Sequence, residues 1–461
     1  MPSWICVCTQ FSLTGRRPIK LKIASAALST ALIGTTGLAN AAGYALIEQN
    51  AGGMGNAFAG AAAVAEDAST IFFNPAGMSY LQGNQFVAAA HAIKPTADFS
   101  NNGSRTIGSL GTPVAMRGGN GGDPGSWAFL PNFYFAKAVT DAIHLGIGVN
   151  SPFGLKNEYD NGWVGRYQAL SSELKTVNIN PSMSFKANDR LSLGAGVNIQ
   201  YAETALTNAL DMGAICYGKV NPAACAALGL TPQNSDGNVS IKGDDWSWGY
   251  NLGVIFRPIP STRIGVAYRS KIHYTLKGNA TFSNIPAPLA AGFPNSAVTA
   301  NLDVPDTVSG SIVHQLNDQW DLLADATWTH WNLFKQLKVV ETSGAVLTSQ
   351  PENWQNTMRY SIGTSYRYTD NLKLRVGAAY DESPVSDAYR TPRIPDNNRT
   401  WLSFGAGYRL SAHSSFDAAY THIFINDASL NQGAVGTATG QLQGSYSSSI
   451  NILSIQYTHS F

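Results

Sequence analysis

Charge is scarce in this chain. Lysine, arginine, aspartate and glutamate make up 13% of the 461 residues, against roughly 25% in ordinary soluble proteins. A water-soluble protein so poor in charge is prone to associate. Long hydrophobic runs are scarce as well. Beyond the N-terminal leader no segment holds ~18 uninterrupted apolar residues, and the mean hydropathy of −0.08 excludes a bundle of membrane helices. The two absences together leave the closed β-barrel, the other structure that satisfies its own backbone inside a bilayer. A net charge of +1 points to no nucleic-acid or acidic partner. Cysteine is sparse: Cys6 and Cys8 fall in the leader, leaving Cys216 and Cys225 close together in a polar stretch. In an oxidising compartment such a pair is expected to form a disulfide. A metal site would need histidine or further cysteine nearby, so none is expected. Gly53-Met54-Gly55 with Gly60 lacks the spacing of a phosphate loop, and no cofactor is expected either.

What is present begins with a leader. Arg16, Arg17, Lys20 and Lys22 precede a weakly apolar run from Ile23 to Leu38, followed by Ala39-Asn40-Ala41. A positive region, a short apolar region and a small-x-small site make residues 1–41 a secretory signal peptide. Cleavage there leaves a mature chain of about 420 residues that starts Ala42-Gly43-Tyr44. The twenty residues or so ahead of the apolar run are long for such a leader, and the start codon is expected downstream.

From residue 83 to 461 the pattern alternates. Leu191, Leu193, Ala195, Val197, Ile199 and Tyr201 interleave with Ser192, Gly194, Gly196, Asn198 and Gln200. Leu402, Phe404, Ala406, Tyr408 and Leu410 interleave with Trp401, Ser403, Gly405, Gly407 and Arg409. Alternate side chains of a strand face opposite ways, so one face is apolar and the other small or polar. A transmembrane barrel turns the first to lipid and the second to its lumen. Connections alternate between short (Thr140-Asp141, Asn188-Asp189, Asp370-Asn371) and long (100–125, 153–172, 211–243, 283–298, 335–352, 384–398, 427–444). That asymmetry predicts an antiparallel transmembrane barrel of about fourteen strands in a bacterial outer membrane. A soluble sandwich needs neither such long strands nor such asymmetry. The last strand carries Leu453, Ile455, Tyr457, His459 and the terminal Phe461 on one face. Trp246, Trp248, Trp328 and Trp331 read as interfacial girdle.

Residues 42–82 break the alternation. Ala51 to Ala65 is rich in alanine and glycine, and Asn74-Pro75-Ala76-Gly77 is a turn signature. This small-residue segment is expected to fold inside the barrel as a plug, or hatch.

The motifs Gly52-Gly53-Met54-Gly55-Asn56-Ala57-Phe58-Ala59-Gly60, Ala65-Glu66-Asp67-Ala68-Ser69-Thr70 and Phe73-Asn74-Pro75-Ala76-Gly77-Met78 resemble the FadL family. These are outer-membrane transporters of long-chain fatty acids and, in the TodX-like branch, aromatic hydrocarbons. Pro152-Phe153-Gly154-Leu155, Trp163, Gly165-Arg166-Tyr167, Asn180-Pro181, Asp245 to Tyr250, Tyr268 to Lys271 and Arg390 to Asp396 follow in the family's order, across nearly all of the mature chain.

The resemblance implies passive diffusion of a hydrophobic ligand through a plugged barrel. Ligand passes from an outer groove to a lumenal site near the mature N-terminus, then leaves sideways through a kink in the third strand. It places Tyr44 against ligand, Phe153, Leu155, Trp163 and Tyr167 at the outer groove, and Asn74, Pro75 and Ala76 in the hatch. The third strand is expected at 141–152, with Gly146 and Gly148 permitting the kink; the same glycines would also make room for the hatch. Aromatic side chains on the 153–172 loop suit a ligand surface, and packing among loops is the other reading. Arg166 has the chemistry to pair a carboxylate, although loop arginines also contact lipopolysaccharide. The expected partners are hydrophobic small molecules, outer-membrane lipid and lipopolysaccharide, and the barrel assembly machinery through Phe461, with the protein a monomer. Two other classes remain: a general porin, which needs no hatch, and a phospholipase, which needs an oriented Ser/His pair. His144, His273, His314 and His330 show no spacing that joins them to a serine. An adhesin or phage-receptor role would be a secondary use of the loops.

Overall fold

The computed structural model describes residues 43–109 and 111–461. The expected signal peptide and its cleavage site lie outside the described residues. Fourteen strands form the wall. They are β1 (Asn84–Asn101), β2 (Ala128–Ala138), β3 (Ile143–Asn150), β4 (Ser171–Lys186), β5 (Leu191–Asp211), β6 (Asp236–Ile259) and β7 (Thr262–Arg269). The other half comprises β8 (Thr307–Gln315), β9 (Trp320–Thr329), β10 (Thr357–Arg367), β11 (Leu372–Asp381), β12 (Arg399–Arg409), β13 (Ser414–Gly433) and β14 (Gln441–Ser460). Each pairs antiparallel with the next, and β1 closes the barrel on β14 from Gln85↔Ser460 to Asn101↔Gly444.

The faces follow from the alternation. On β5, Leu193, Val197 and Ile199 are exposed while Ser192, Asn198 and Gln200 are buried. On β12, Leu402 and Phe404 are exposed while Trp401 and Ser403 are buried. Trp246 and Trp248 stand outward on β6, as a girdle requires, but Trp331 is buried, which corrects its reading as a girdle residue. Hydrophobic side chains outside and polar ones inside invert the arrangement of a soluble protein, as lipid demands.

The long connections are more structured than turn signals revealed. Strands extend past the membrane on both sides of 211–243, and within it α-helices Met212–Lys219 and Pro222–Ala227 are joined by the Cys216–Cys225 disulfide. The 335–352 stretch holds a hairpin, Gln336–Glu341 with Val346–Pro351, added to the rim. The asymmetry was legible because turns of two to four residues carry strong signals. Rim strands were not, since they alternate without a membrane to fix their polarity.

Residues 43–82 lie within the barrel. Three short helices, α1 (Ala51–Gly55), α2 (Ala61–Val64) and α3 (Thr70–Phe73), precede a 3-10 turn at Pro75–Tyr80. Asn50 caps α1 by accepting from Gly53 N and donates to Ser69 Oγ at 2.6 Å. Asn74 is the pin. Its Oδ1 accepts from Ala76 N at 3.1 Å, and its Nδ2 donates to Ala62 O at 2.7 Å and to wall residue Val254 O at 3.1 Å. Pro75 starts the turn where its missing N–H costs nothing. Lumen-facing glycines of the wall receive the hatch backbone. A Cβ at Gly194, Gly253, Gly265 or Gly377 would overlap hatch residues Ala76, Asn74, Ala62 and Asn56 respectively. Electrostatics adds a clamp, because Glu66 is held by Lys373 at 2.9 Å and Arg375 at 3.0 Å. Burial raises the Glu66 pKa, yet these two cations hold it well below the usual carboxylate range.

Candidate functional site

The segment leading into the hatch runs antiparallel to residues 152–154. Gly43 N donates to Asp396 Oδ2 at 3.0 Å, Gly154 N donates to Tyr44 O at 2.8 Å, and Leu46 N donates to Pro152 O at 2.8 Å. Ala45 and Phe153 form the antiparallel bridge between them. Gly43 is required here: its φ is +63°, and a Cβ would lie 2.6 Å from the Trp354 ring.

This pairing positions Tyr44 in an aromatic cage. Its ring centroid lies 4.7 Å from Trp331, 5.4 Å from Trp354, 5.8 Å from Phe334 and 6.1 Å from Phe153. Edge-to-face geometry dominates, the arrangement that ring quadrupoles favour. Two cavities meet at the cage. The outer one, about 90 Å³, is lined by Tyr44, Leu155, Leu174, Leu276, Leu302 and Phe334, with Arg393 and Glu352 at its polar edge. The inner one, about 140 Å³, is lined by Leu46, Ile47, Phe72, Phe73, Phe153 and Trp331, with Asp325, Arg359 and Asp381 among its polar groups. Residues 44–47 and 153–155 thus form a partition with one face on each cavity. Glu352 is buried, accepts from Trp354 Nε1 at 3.1 Å, and burial pushes its pKa up to about 8 against the opposing pull of that hydrogen bond and Arg393.

The wall has a discontinuity beside this partition. β3 pairs with both neighbours through Gly146 and Gly148, from His144 to Val149 on the β2 side and from Ile143 to Asn150 on the β4 side. At Ser151-Pro152 the chain leaves both ladders and turns to meet Ala45, then pairs again with β4 alone over Gly154–Glu158. Residues 128–132 of β2 therefore pair with β1 but with no strand on their other side. Hatch residues stand behind the break: Asn132 Nδ2 donates to Glu48 O at 2.9 Å, and the Tyr134 hydroxyl donates to Gln49. Gly146 does a different job, since a Cβ there would fall 2.6 Å from Ile71 and Met78 of the hatch.

The residues singled out in the sequence divide into two groups. Tyr44, Phe153 and Leu155 come together at the partition. Trp163 and Tyr167 lie in a second cluster, with Trp163 stacked on Tyr159 at 4.0 Å and packed on Phe99, and they line neither cavity. Arg166 is engaged by Asp236 at 2.7 Å, the Tyr167 hydroxyl and the carbonyls of Arg117 and Trp163. Both belong to the packing of the outer loops. Phe334 and Trp354 carried no signal in the sequence analysis, Trp331 was read as girdle, and Asp396 appeared only within the Arg390 to Asp396 motif. The pair a hydrolase would need is approached at His91, whose Nδ1 is 2.6 Å from Ser454 Oγ, but Nε2 has no orienting partner among the described residues.

Comparison with known proteins agrees with this architecture. The long-chain fatty acid transport protein of Escherichia coli K12 is 30% identical over 88% of this chain and 93% of its own length. Outer membrane protein P1 of Haemophilus influenzae is 32% identical over 86% and 89%. The crystal structure of a Pseudomonas aeruginosa FadL homologue superposes with a TM-score of 0.83 at 29% identity, covering 91% of this chain and all of that one. A family model described as outer membrane protein transport protein (OMPP1/FadL/TodX) matches residues 32–461. The chain belongs to the OMPP1/FadL/TodX family of transport proteins and resides in the outer membrane of a Gram-negative bacterium.

Proposed function

We propose that the protein carries long-chain fatty acids or similar hydrophobic molecules through the outer membrane by passive diffusion, gated by the hatch. The observation that carries this reading is the Tyr44 partition, a single segment of chain between two largely apolar cavities. Ligand enters the outer cavity, displaces residues 44–47, occupies the inner cavity beside the hatch, and leaves through the break between β2 and β3. Lateral departure has a physical reason: an alkyl chain loses about 0.8 kcal/mol for each CH₂ moved from hydrocarbon into water, so the bilayer is the favourable destination. The printed function of the E. coli relative supports the ligand class, and the apolar linings support it chemically.

The test is competitive uptake into proteoliposomes. Oleate should enter saturably while a polar solute of similar mass does not. Tyr44→Ala should weaken oleate binding about tenfold without disturbing the barrel. Rapid, unsaturable entry of the polar solute would favour a general porin.

A further inference from the structure

Strand β6 continues above its exposed tryptophans, and there the sheet widens. Pairing passes from β6 to Ile272–Ser283, then to Ser296–Val304, then to Gln336–Glu341. Residues paired across a ladder point to the same face, and every second residue repeats that face. The outward side, marked by Trp246 and Trp248 at 57% and 69% exposed, thus carries Asp244 and Lys242 above them. Lys277, paired with Asp244 and Thr299, shares it, as do Asn301, Gln336 and Lys338. The ladder between Ser296–Val304 and Gln336–Glu341 stops at Ala300↔Val339. Where the two strands part, a cleft of about 400 Å³ opens, lined by Thr299, Asn301, Asp303, Lys335, Gln336 and Lys338.

Positive charge on this face is unspent. Lys242, Lys277, Lys335 and Lys338 are exposed, and among the described residues no carboxylate lies within ion-pair distance of any of them. The carboxylates on the same face are Asp244, beside Lys277 in register, and Asp303, engaged by His273 at 2.8 Å. Four lysines thus face two carboxylates.

We infer that this outward cleft holds a phosphate on the sugar headgroup of an outer-leaflet glycolipid. Depth selects a lipid over a free anion. Lys277 lies two residues above Trp246, roughly 7 Å along the strand, and tryptophans of this kind mark the membrane interface. The lysines therefore stand at headgroup level. Ammonium groups suit phosphate as point charges, while Thr299, Asn301 and Gln336 offer hydrogen bonds to sugar hydroxyls. The cleft backs onto the outer lumenal cavity, with which it shares Ala300, Asn301 and Phe334; the inference concerns its outward rim and does not rest on the transport reading.

Native mass spectrometry of the full-length protein in mild detergent tests it, with added diphosphoryl lipid A, the dephosphorylated lipid, or inorganic phosphate. The parent should retain diphosphoryl lipid A and not the dephosphorylated form. Lys277→Gln/Lys335→Gln/Lys338→Gln should cut retention at least fivefold while keeping heat-modifiable electrophoretic mobility, the sign of a folded barrel. A control triple variant at exposed sites elsewhere, Lys137→Gln/Lys219→Gln/Arg105→Gln, should retain lipid like the parent. Equal retention by the cleft variant, or equal loss in the control, would overturn the site. Displacement of the lipid by millimolar inorganic phosphate would overturn the lipid assignment.

Discussion

Glu352 shows how one buried carboxyl can set the chemistry of a cavity. It lies at the edge of the outer cavity with its pKa pushed up to about 8 by burial. A raised value means that the folded state favours the neutral form. Its contribution to stability is complete below the ordinary glutamate range and is lost as pH rises through about 8. The same ionisation places a negative charge beside an incoming fatty carboxylate. Oleate affinity, followed by tryptophan fluorescence, should fall about tenfold between pH 7 and 9, while a neutral alkane changes little. Glu352→Gln should flatten the oleate profile; an unchanged slope would assign the titration elsewhere. Tyr44 is the other residue on which the site turns. The expectation that it meets ligand came from its place in the family's pattern, whereas its cage was not legible. Trp331 and Trp354 reach it from a distant loop through tertiary packing that no local periodicity encodes.

Among the elements, β3 separates what a pattern can reveal from what it cannot. The strand itself was evident from alternation, and Gly146 and Gly148 were evident as departures from it. Glycine in a strand signals either a bend or a close approach, and the sequence alone leaves both open. The ladder runs unbroken through both residues, with Ile71 and Met78 filling the space at Gly146. The chain steps out of the ladder at Ser151-Pro152, where proline cannot donate, and rejoins β4 at Gly154. Gly146→Val should therefore press on the hatch, an overpacking that costs roughly 1–3 kcal/mol. Planar bilayers should show a steady ion leak with this variant and none with Gly310→Val, which meets nothing within 4 Å. Silence from both would mean that Gly146 does not seat the hatch. Breadth of the fold was legible for a similar reason. Fourteen wall strands repeat one rule imposed by lipid, but the rim hairpins and the disulfide-linked helices obey only local packing.

For the whole molecule, the central question is whether the hatch must move for ligand to pass. Asn74 and Glu66 fasten it to opposite parts of the wall, through Val254 on β6 and through Lys373 and Arg375 on β11. Further hydrogen bonds join hatch and wall, among them Ala51 N to Gln456, Ala62 N to Ser311 and Arg359 to Ala57 O, so a shift of the plug must exchange many polar contacts inside the cylinder. Ala59 on the hatch and Gly363 on β10 offer a place to lock it, because a Cβ at Gly363 would lie 3.2 Å from that of Ala59, close to the spacing a disulfide spans. The decisive measurement is oleate uptake into proteoliposomes by Ala59→Cys/Gly363→Cys, oxidised and then reduced, with the parent protein taken through the same reductant. Movement of the hatch predicts that uptake falls below about a tenth of the parent rate when the bond is formed, and recovers when it is broken. Uptake by the oxidised protein at the parent rate would show that ligand passes a stationary hatch, and would contradict the gated route.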